Sequence, residues 1–509
     1  MARKLGLSSD DREYLPGAKV YEVYTREPQR VRLYASQDVI EAAAVADVLG
    51  GAGFALARMA PRRYERLADA GPATGVLDPL IVRAYLRANT ALPTHQQGDG
   101  TIHNGAALHL FATGVAERIV KADVASLYPS LMRQFRIGPR RDRLGVMLAL
   151  VDRLVEQRLR AKRLAKELRK GTAERFAQEA LSAAMKIVIN SAYGYLGAVG
   201  LTRFADVHAA NEVTRHGREV LATICRELAR RDMTLLEADT DGVYFSVPQH
   251  FSEGDERRVV AEVAATLPER VQLEFEGRYA AMLSHEPKNY ALLPYAGPVI
   301  LRGVAFRSSR AEPFGEAFLS QATEFLLRGD IRGVRRVYVD CCIALRRRAV
   351  PTAYLTMTTR LTKTPEQYFS VRGNRRELVY EALLRSGRTD WQQGERVRVY
   401  RSIGGRPALL PDATDDFDGQ REPKDQSAVF RAPRDATMGD TTTPSDSDPR
   451  DYDIEYYVDT LRQNFASRLQ RALSAEDFAL TFADPRQESL FASLLVRAKP
   501  ILTVLKKPA

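Results

Sequence analysis

The sequence predicts an α+β protein in which an antiparallel sheet carries acids at strand ends, with two helices packed as a hairpin between the acidic segments. Three observations lead there. The run Asp123-Val124-Ala125-Ser126-Leu127-Tyr128-Pro129-Ser130 follows a β-rich stretch; Asp239-Thr240-Asp241-Gly242 lies between two apolar β-rich stretches; and a basic helical segment ending in Lys186-Ile187-Val188-Ile189-Asn190-Ser191-Ala192-Tyr193-Gly194 separates them. A lone acid pair would carry little information, because charged residues are common and mostly solvated. Acids at two strand ends, with cations on helices between them, supply what moving a nucleotide from a triphosphate requires.

The 509 residues are enough for several cores, so three or four subdomains are expected. The 75 Lys and Arg against 64 Asp and Glu give a net charge of +11. Such an excess favours a polyanionic partner through counterion release. Charge alone fits a membrane surface equally well; the placement of the basic residues on helices beside carboxylates favours nucleic acid. Cys225, Cys341 and Cys342 are too few and too poorly spaced for a zinc site or a disulfide framework. They read as buried thiols in a reducing compartment. No signal-like segment follows Met1-Ala2-Arg3-Lys4 and eighteen uncharged apolar residues nowhere run together. The expectation is a cytoplasmic chain with no membrane partner.

In chain order, residues 1 to about 100 read as short amphipathic stretches with turns. The cluster Gly50-Gly51-Ala52-Gly53 is expected to be a loop, since it lacks the Lys-Ser/Thr of a phosphate cradle. Ile119, Val120 and Ala122 lead a strand into Asp123, with Pro129 helping to stop it. Val146, Leu150, Leu154 and Val155 follow helical spacing toward Lys170, and Gly171-Thr172 supplies a stop and an N-cap for a helix over 173–190. So short a turn predicts an antiparallel helical hairpin. On it Arg158, Lys162 and Lys166 share one face, as do Lys186 and Asn190. Leu235 to Ala238 and Val243 to Val247 read as a hairpin with Asp-Gly at its turn and the acids at its tip. Beyond about 340 a predominantly helical region is expected, interrupted over roughly 404–450 by a polar stretch rich in Asp, Pro, Ser and Thr that is expected to be mobile.

A primer 3′-hydroxyl is a poor nucleophile at neutral pH, and the phosphate it attacks is anionic. Two Mg2+ ions held by carboxylates about 3.5–4 Å apart answer both difficulties, and magnesium suits hard oxygen ligands. Asp123 and Asp241 are the expected bridging ligands, with Asp239 in a weaker or transient role. Lone structural carboxylates at a turn are the competing reading. Arg158 and Lys186 suit the β- and γ-phosphates, one by a forked contact and the other as a point charge, and Asn190 adds a neutral hydrogen bond. A solvated basic face is the bland reading of the same helices.

At this point the sequence resembles a family B DNA polymerase, of bacterial or archaeal type and without a complete 3′–5′ exonuclease. Asp123 to Ser130 resembles the first palm motif, Lys186 to Gly194 the fingers motif, and Asp239-Thr240-Asp241 the second metal-binding palm motif. The resemblance implies a right-hand polymerase fold: palm over 101–145 and 196–300, helical-hairpin fingers over 146–195, and a mostly helical thumb over 301–509. Residues 1–100 become an exonuclease remnant and connector. It implies metal binding by Asp123 and Asp241, triphosphate contacts around Ser126 and Leu127, and a steric gate at Tyr128 that excludes a ribose 2′-hydroxyl. Pro287-Lys288-Asn289-Tyr290 resembles the family's Lys-Lys-x-Tyr element with one lysine missing, and Arg302-Gly303 the start of a thumb-side motif in which Ser308-Ser309 replace paired arginines. Tyr193, Gly194, Lys288, Tyr290 and Arg302 are thus implied DNA contacts. Gly242 stands in place of a frequent Ser, as the turn favours.

The resemblance extends to Asp451 through Val458, the start of a late thumb helix. Tyr34-Ala35-Ser36-Gln37-Asp38 resembles the last exonuclease motif; its partner motifs have no room upstream, so a separate exonuclease chain would have to supply them. Gln487-Glu488-Ser489-Leu490-Phe491 resembles a sliding-clamp pentapeptide, although an ordinary helix burying Leu490 and Phe491 is the preferred reading. The implied partners are primer–template DNA and deoxynucleoside triphosphates, in replication or repair. Two other classes compete: an inactive polymerase-derived DNA-binding scaffold, and a metal-dependent nuclease that lacks an evident water-activating set.

Overall fold

The computed structural model describes all residues except 61, 170, 309–310, 411–447, 487–494 and 507–509, and gives no side-chain description for 18 and 68. The chain divides into two units. One comprises Met1–Ala107, Val124–Leu221 and Thr266–Gln272; the other comprises Leu108–Asp123, Ala222–Ala265 and Leu273–Ala509.

The first unit is helical: α1 (Val20–Arg26), α2 (Pro28–Met59), α3 (Tyr64–Pro72), α4 (Asp78–Arg87), α5 (Leu127–Phe135), α6 (Val146–Glu167) and α7 (Ala173–Gly197), with α8 (Val207–Ala229) continuing into the second unit. The pair α6 and α7 pack on each other, as their short connection requires. Thr172 caps α7 by accepting from the Arg175 N–H at 3.3 Å, which satisfies one of the helix's orphan donors. Ala184, Met185, Val188, Ile189, Ala192 and Leu196 are buried along one side of α7, whereas Lys186, Asn190 and Gly194 are exposed along the other.

The second unit is built on an eight-stranded sheet formed by β1 (Leu108–Leu110), β2 (Ala112–Val124), β3 (Thr234–Asp239), β4 (Gly242–Ser246), β5 (Leu273–Glu286), β6 (Asn289–Leu293), β7 (Ile300–Arg302) and a late strand, Leu502–Val504, that pairs with the start of β2. The order is β1-β3-β4-β2-β5-β6-β7. Along β2, Val120 and Ala122 are buried while Lys121 and Asp123 lie on the opposite, half-exposed face, the alternation a one-sided sheet demands. Helix α9 (Glu253–Ala264) connects β4 to β5, α10 (Pro313–Leu327) and α11 (Ile331–Arg346) follow β7, and Phe314, Phe318, Tyr338 and Leu345 join a core with Ala281, Leu283 and Leu293 from the sheet. All three cysteines are buried free thiols.

Three expectations change, and one helix has a further property. The glycine cluster is no loop: Gly50, Gly51 and Gly53 lie inside α2. A Cβ at Gly51 would stand 2.9 Å from the Cβ of Ala180 on α7, and Gly53 faces the Tyr64 ring. The glycines allow close helix contact, which local sequence rules read as a break. Pro129 does not stop a strand, because β2 already ends at Val124 and Pro129 occupies the first turn of α5, where its missing N–H costs nothing. The region after 340 is not simply helical: β8 (Met357–Arg360), β9 (Arg396–Ser402) and β10 (Arg406–Leu409) form a second antiparallel sheet, with α12 (Pro365–Val371) and α13 (Leu378–Arg385) between β8 and β9 in the chain and α14 (Ile454–Thr460) after β10. Val397 and Val399, alternating with arginines, enter its core with Tyr368, Tyr380 and Trp391. Finally, α2 is long and apolar enough to cross a membrane by length and composition. It also contains Glu41, paired with Arg12 at 3.1 Å, and contacts α7, while none of its residues is buried.

Asp453 caps α14 by accepting from the Tyr456 N–H at 3.1 Å, and Asp38 lies on α2 in an ion pair with Arg12 at 2.5 Å. Most of the polar stretch over 404–450, and the clamp-like Gln487 to Phe491, lie outside the described residues. Replacing a helix-interior glycine by alanine ordinarily favours a helix by about 1 kcal/mol. The Gly51→Ala protein is expected instead to unfold at lower urea than the parent, because its new methyl meets Ala180; a rise in the midpoint would show that α2 and α7 are not packed this closely.

Candidate active site

The acids sit in one row of the sheet. Asp239 at the end of β3 pairs with Gly242 at the start of β4, and Gly242 pairs in turn with Asp123 on β2. Directly paired residues point to the same face, so Asp123 and Asp239 flank a position that has no side chain. A Cβ at Gly242 would lie 2.7 Å from Asp123 Oδ1. Gly242 is a strand residue with the Asp123 carboxylate close beside it, and the two-residue turn is Thr240-Asp241, with Thr240 at φ 58° and the Asp241 N–H donating to the Asp239 carbonyl at 2.6 Å. The expected Asp-Gly turn is displaced by one residue for that reason.

Burial pushes the Asp123 carboxyl up to about 6, and the charge of Asp241 pushes in the same direction. Asp241 is raised too, by burial and by Asp239. These are like charges gathered where water screens them poorly. Lys121, on the face of β2 that carries Asp123, opposes the rise while ion-paired to Glu276 and lying over the Tyr244 ring. On the other flank Lys288 Nζ meets Asp239 Oδ2 at 3.2 Å, and Tyr290 shares a hydroxyl contact of 3.0 Å with Tyr244. Arg302 on β7 is exposed and pairs in register with Tyr290. Asp123, Asp239, Asp241, Lys288, Tyr290 and Arg302 thus belong to one sheet.

The remaining expected residues belong to the helical unit. Ser126 adopts a left-handed conformation, φ 52°, and turns the chain from the end of β2 into α5. Leu127 and Tyr128 thereby open a helix, whose N-terminus carries N–H groups and a positive pole suited to an anion. The Tyr128 ring stacks on Tyr193 with centroids 4.1 Å apart. Arg158 is half-buried on α6, while Lys186 and Asn190 are exposed one turn apart on α7.

Several residues had no sequence signal. His103 bonds Tyr193 Oη at 2.8 Å through Nε2 and Asn211 Oδ1 at 2.9 Å through Nδ1, contacts made across the fold from a segment with no pattern of its own. Lys121 and Glu276 were equally silent, although the period-two spacing of Ile119, Lys121 and Asp123 could have placed Lys121 beside the acid. Glu237 read as an ordinary strand residue.

Magnesium is commonly held by one or two carboxylates together with substrate phosphates, not by an all-protein cage. Among the described residues no three His, Cys, Asp or Glu side chains are grouped as a ready-made metal site. A half-buried carboxylate pair with raised proton affinity nonetheless fits a divalent cation, whose charge relieves the repulsion.

An antiparallel sheet with acids at a hairpin tip, joined to a helical unit with a basic hairpin, defines a polymerase-like protein. The model for DNA polymerase family B matches residues 134–401, more than half of the chain, and the chain belongs to that family. It is 30% identical over 215 residues to DNA polymerase 1 of Pyrococcus abyssi, covering 38% of this chain and 28% of the relative. With the DNA polymerase of Thermococcus sp. (strain 9oN-7) it shares 24% identity over 418 residues, 76% of this chain and 49% of the relative. The fold is similar to that of the family B DNA polymerase from the hyperthermophilic archaeon Pyrobaculum calidifontis, with TM-score 0.62 and 18% identity over 92% of this chain and 60% of that one. The chain thus spans half or less of the length of these curated relatives.

Proposed function

We propose that this protein carries out template-directed, primer-dependent DNA synthesis from deoxynucleoside triphosphates, with two magnesium ions, in replication or repair. The observation that carries the reading is the row Asp239, Gly242, Asp123 with Asp241 at the adjoining turn, in a chain of this family. In this proposal the sheet around β2 to β4 is the palm, the α6–α7 pair the fingers, and the region after 301 the thumb, which contains its own small sheet as well as helices.

Asp123 and Asp241 would hold the metal ions, with Asp239 in an outer role. Bound there, the ions lower the pKa of the primer hydroxyl and offset charge on the departing pyrophosphate. The protein's own part is positional. Gly242 lets the carboxylates converge, and Lys121 moderates their charge. Arg158 and Lys186 meet the β- and γ-phosphates, Asn190 adds a hydrogen bond, and the amides around Ser126 and Leu127 receive the triphosphate. Tyr128 bars a 2′-hydroxyl, its ring held by the stack on Tyr193. Lys288, Tyr290 and Arg302, with Tyr193 and Gly194, contact the DNA.

The inactive-scaffold reading is not favoured. A structural descendant gains nothing from half-buried, mutually repelling acids, and charge burial of this kind opposes folding.

Asp123→Asn and Asp241→Asn are each expected to abolish extension while primer–template binding, measured by fluorescence anisotropy, stays near the parent value; normal extension by either would defeat the assignment. Tyr128→Ala should raise ribonucleotide use relative to deoxynucleotide use by about tenfold to a hundredfold, the range in which a pocket discriminates against one added group, and single-nucleotide kinetics read the ratio.

The raised carboxyl of Asp123 also sets a sign. Between its ordinary 3.8 and about 6 the folded chain binds more protons than the unfolded one, so stability falls as pH rises through that window and the penalty is complete above it. Magnesium is therefore expected to raise Tm more at pH 8 than at pH 5, and not at all through this site in Asp123→Asn. An equal rise at both pH values would contradict cation binding at the ionised pair.

A further inference from the structure

Glu237 lies on β3 two residues before Asp239, so the two side chains leave the same face of the strand. It is 2% exposed. One carboxylate oxygen accepts the backbone N–H of Lys288 at 2.7 Å; the other is buried with no hydrogen-bond partner among the described residues. Lys288 itself stands in the left-handed region, φ 64°, between β5 and β6. Its carbonyl lies 2.3 Å from where a Cβ on Gly303 would be, so that position accepts only glycine, and its ammonium reaches Asp239 at 3.2 Å. One exposed lysine is thus held at its amide and at its side chain.

A buried carboxylate with one oxygen unsatisfied is costly, and an apolar side chain of similar volume would cost the fold less. Packing gives no reason for an acid here. We propose that Glu237 is a positioning residue: its buried carboxylate holds the Lys288 backbone in its strained turn, so that the ammonium stands beside Asp239 at the place where a primer end must come. The primer in that statement rests on the polymerase reading; the grip on Lys288 does not.

Four variants test it: Glu237→Met, which keeps volume and removes the acceptor; Glu237→Gln, which keeps an acceptor oxygen; Lys288→Met; and Glu237→Met combined with Lys288→Met. Thermal unfolding, amide hydrogen exchange at Lys288 and steady-state extension are measured on each. Glu237→Met is expected to keep or raise Tm, to speed exchange at the Lys288 amide, and to raise KM for primer–template by about tenfold, the loss of one charge-assisted hydrogen bond, with a smaller effect on kcat. Glu237→Gln should recover most of that loss. The double variant should be no worse than Lys288→Met alone, since both changes remove one device.

A fall of Tm and activity together in Glu237→Met without recovery in Glu237→Gln, or a double variant worse than Lys288→Met by the full Glu237→Met effect, would overturn the proposal. Unchanged exchange at Lys288 would do so even in a protein with no extension activity, whereas absent extension by the parent, with exchange behaving as expected, would sink only the polymerase reading.

Discussion

The burial of the Asp123 and Asp241 carboxylates on one sheet is the constraint around which the site is built. Two carboxylates drawn out of water beside each other each resist ionisation, and the rise of Asp123 to about 6 expresses that resistance. The chain meets the cost with backbone geometry. The β3–β4 hairpin turns in two residues, Thr240 takes a left-handed conformation, and the glycine between Asp239 and Asp123 leaves room for the Asp123 carboxylate. Strand register fixes which side chains share the face, and a slip by one residue would send the acids to the buried side.

Counter-charges are placed on both flanks without cancelling the pair. Lys121 is drawn toward Glu276 and Lys288 toward Asp239, so that neither closes a simple ion pair on Asp123. A cation site needs this incomplete compensation: full neutralisation by lysine would leave no affinity for a metal ion, and none at all would raise proton affinity further. The helical unit makes a different contribution. Its proposed contacts to a triphosphate and its sugar are a basic and polar stripe on α7, the start of α5 at Leu127 and the Tyr128 ring stacked on Tyr193.

Much of this was legible in the sequence, for identifiable reasons. Apolar β-rich runs placed Asp123 and Asp239 at strand ends, and the starts of α6 and α7 followed from helical spacing and the Gly171-Thr172 stop, although α7 runs on to Gly197, past the expected end at 190. What escaped were contacts made at a distance. Gly51 reads locally as a breaker and becomes a helix residue because Ala180 packs on it; Gly242 reads as a turn residue and proves to be a strand residue beneath a carboxylate. The alternating arginines and valines of β9 announce a strand, yet the surrounding helical pattern obscured the small sheet they form. His103 and Glu237 belong to no local pattern, and only the fold brings them to Tyr193 and Lys288.

The central claim is that the paired acids form a place for divalent cations during nucleotide addition. Electron paramagnetic resonance of Mn2+, titrated into the protein with a chain-terminated primer–template and the matching deoxynucleoside triphosphate, tests it directly. The account requires two spin-coupled ions in the parent protein and loss of the coupled signal when either Asp123 or Asp241 becomes asparagine. A single uncoupled ion in the parent, or a coupled pair that survives both substitutions, would contradict it.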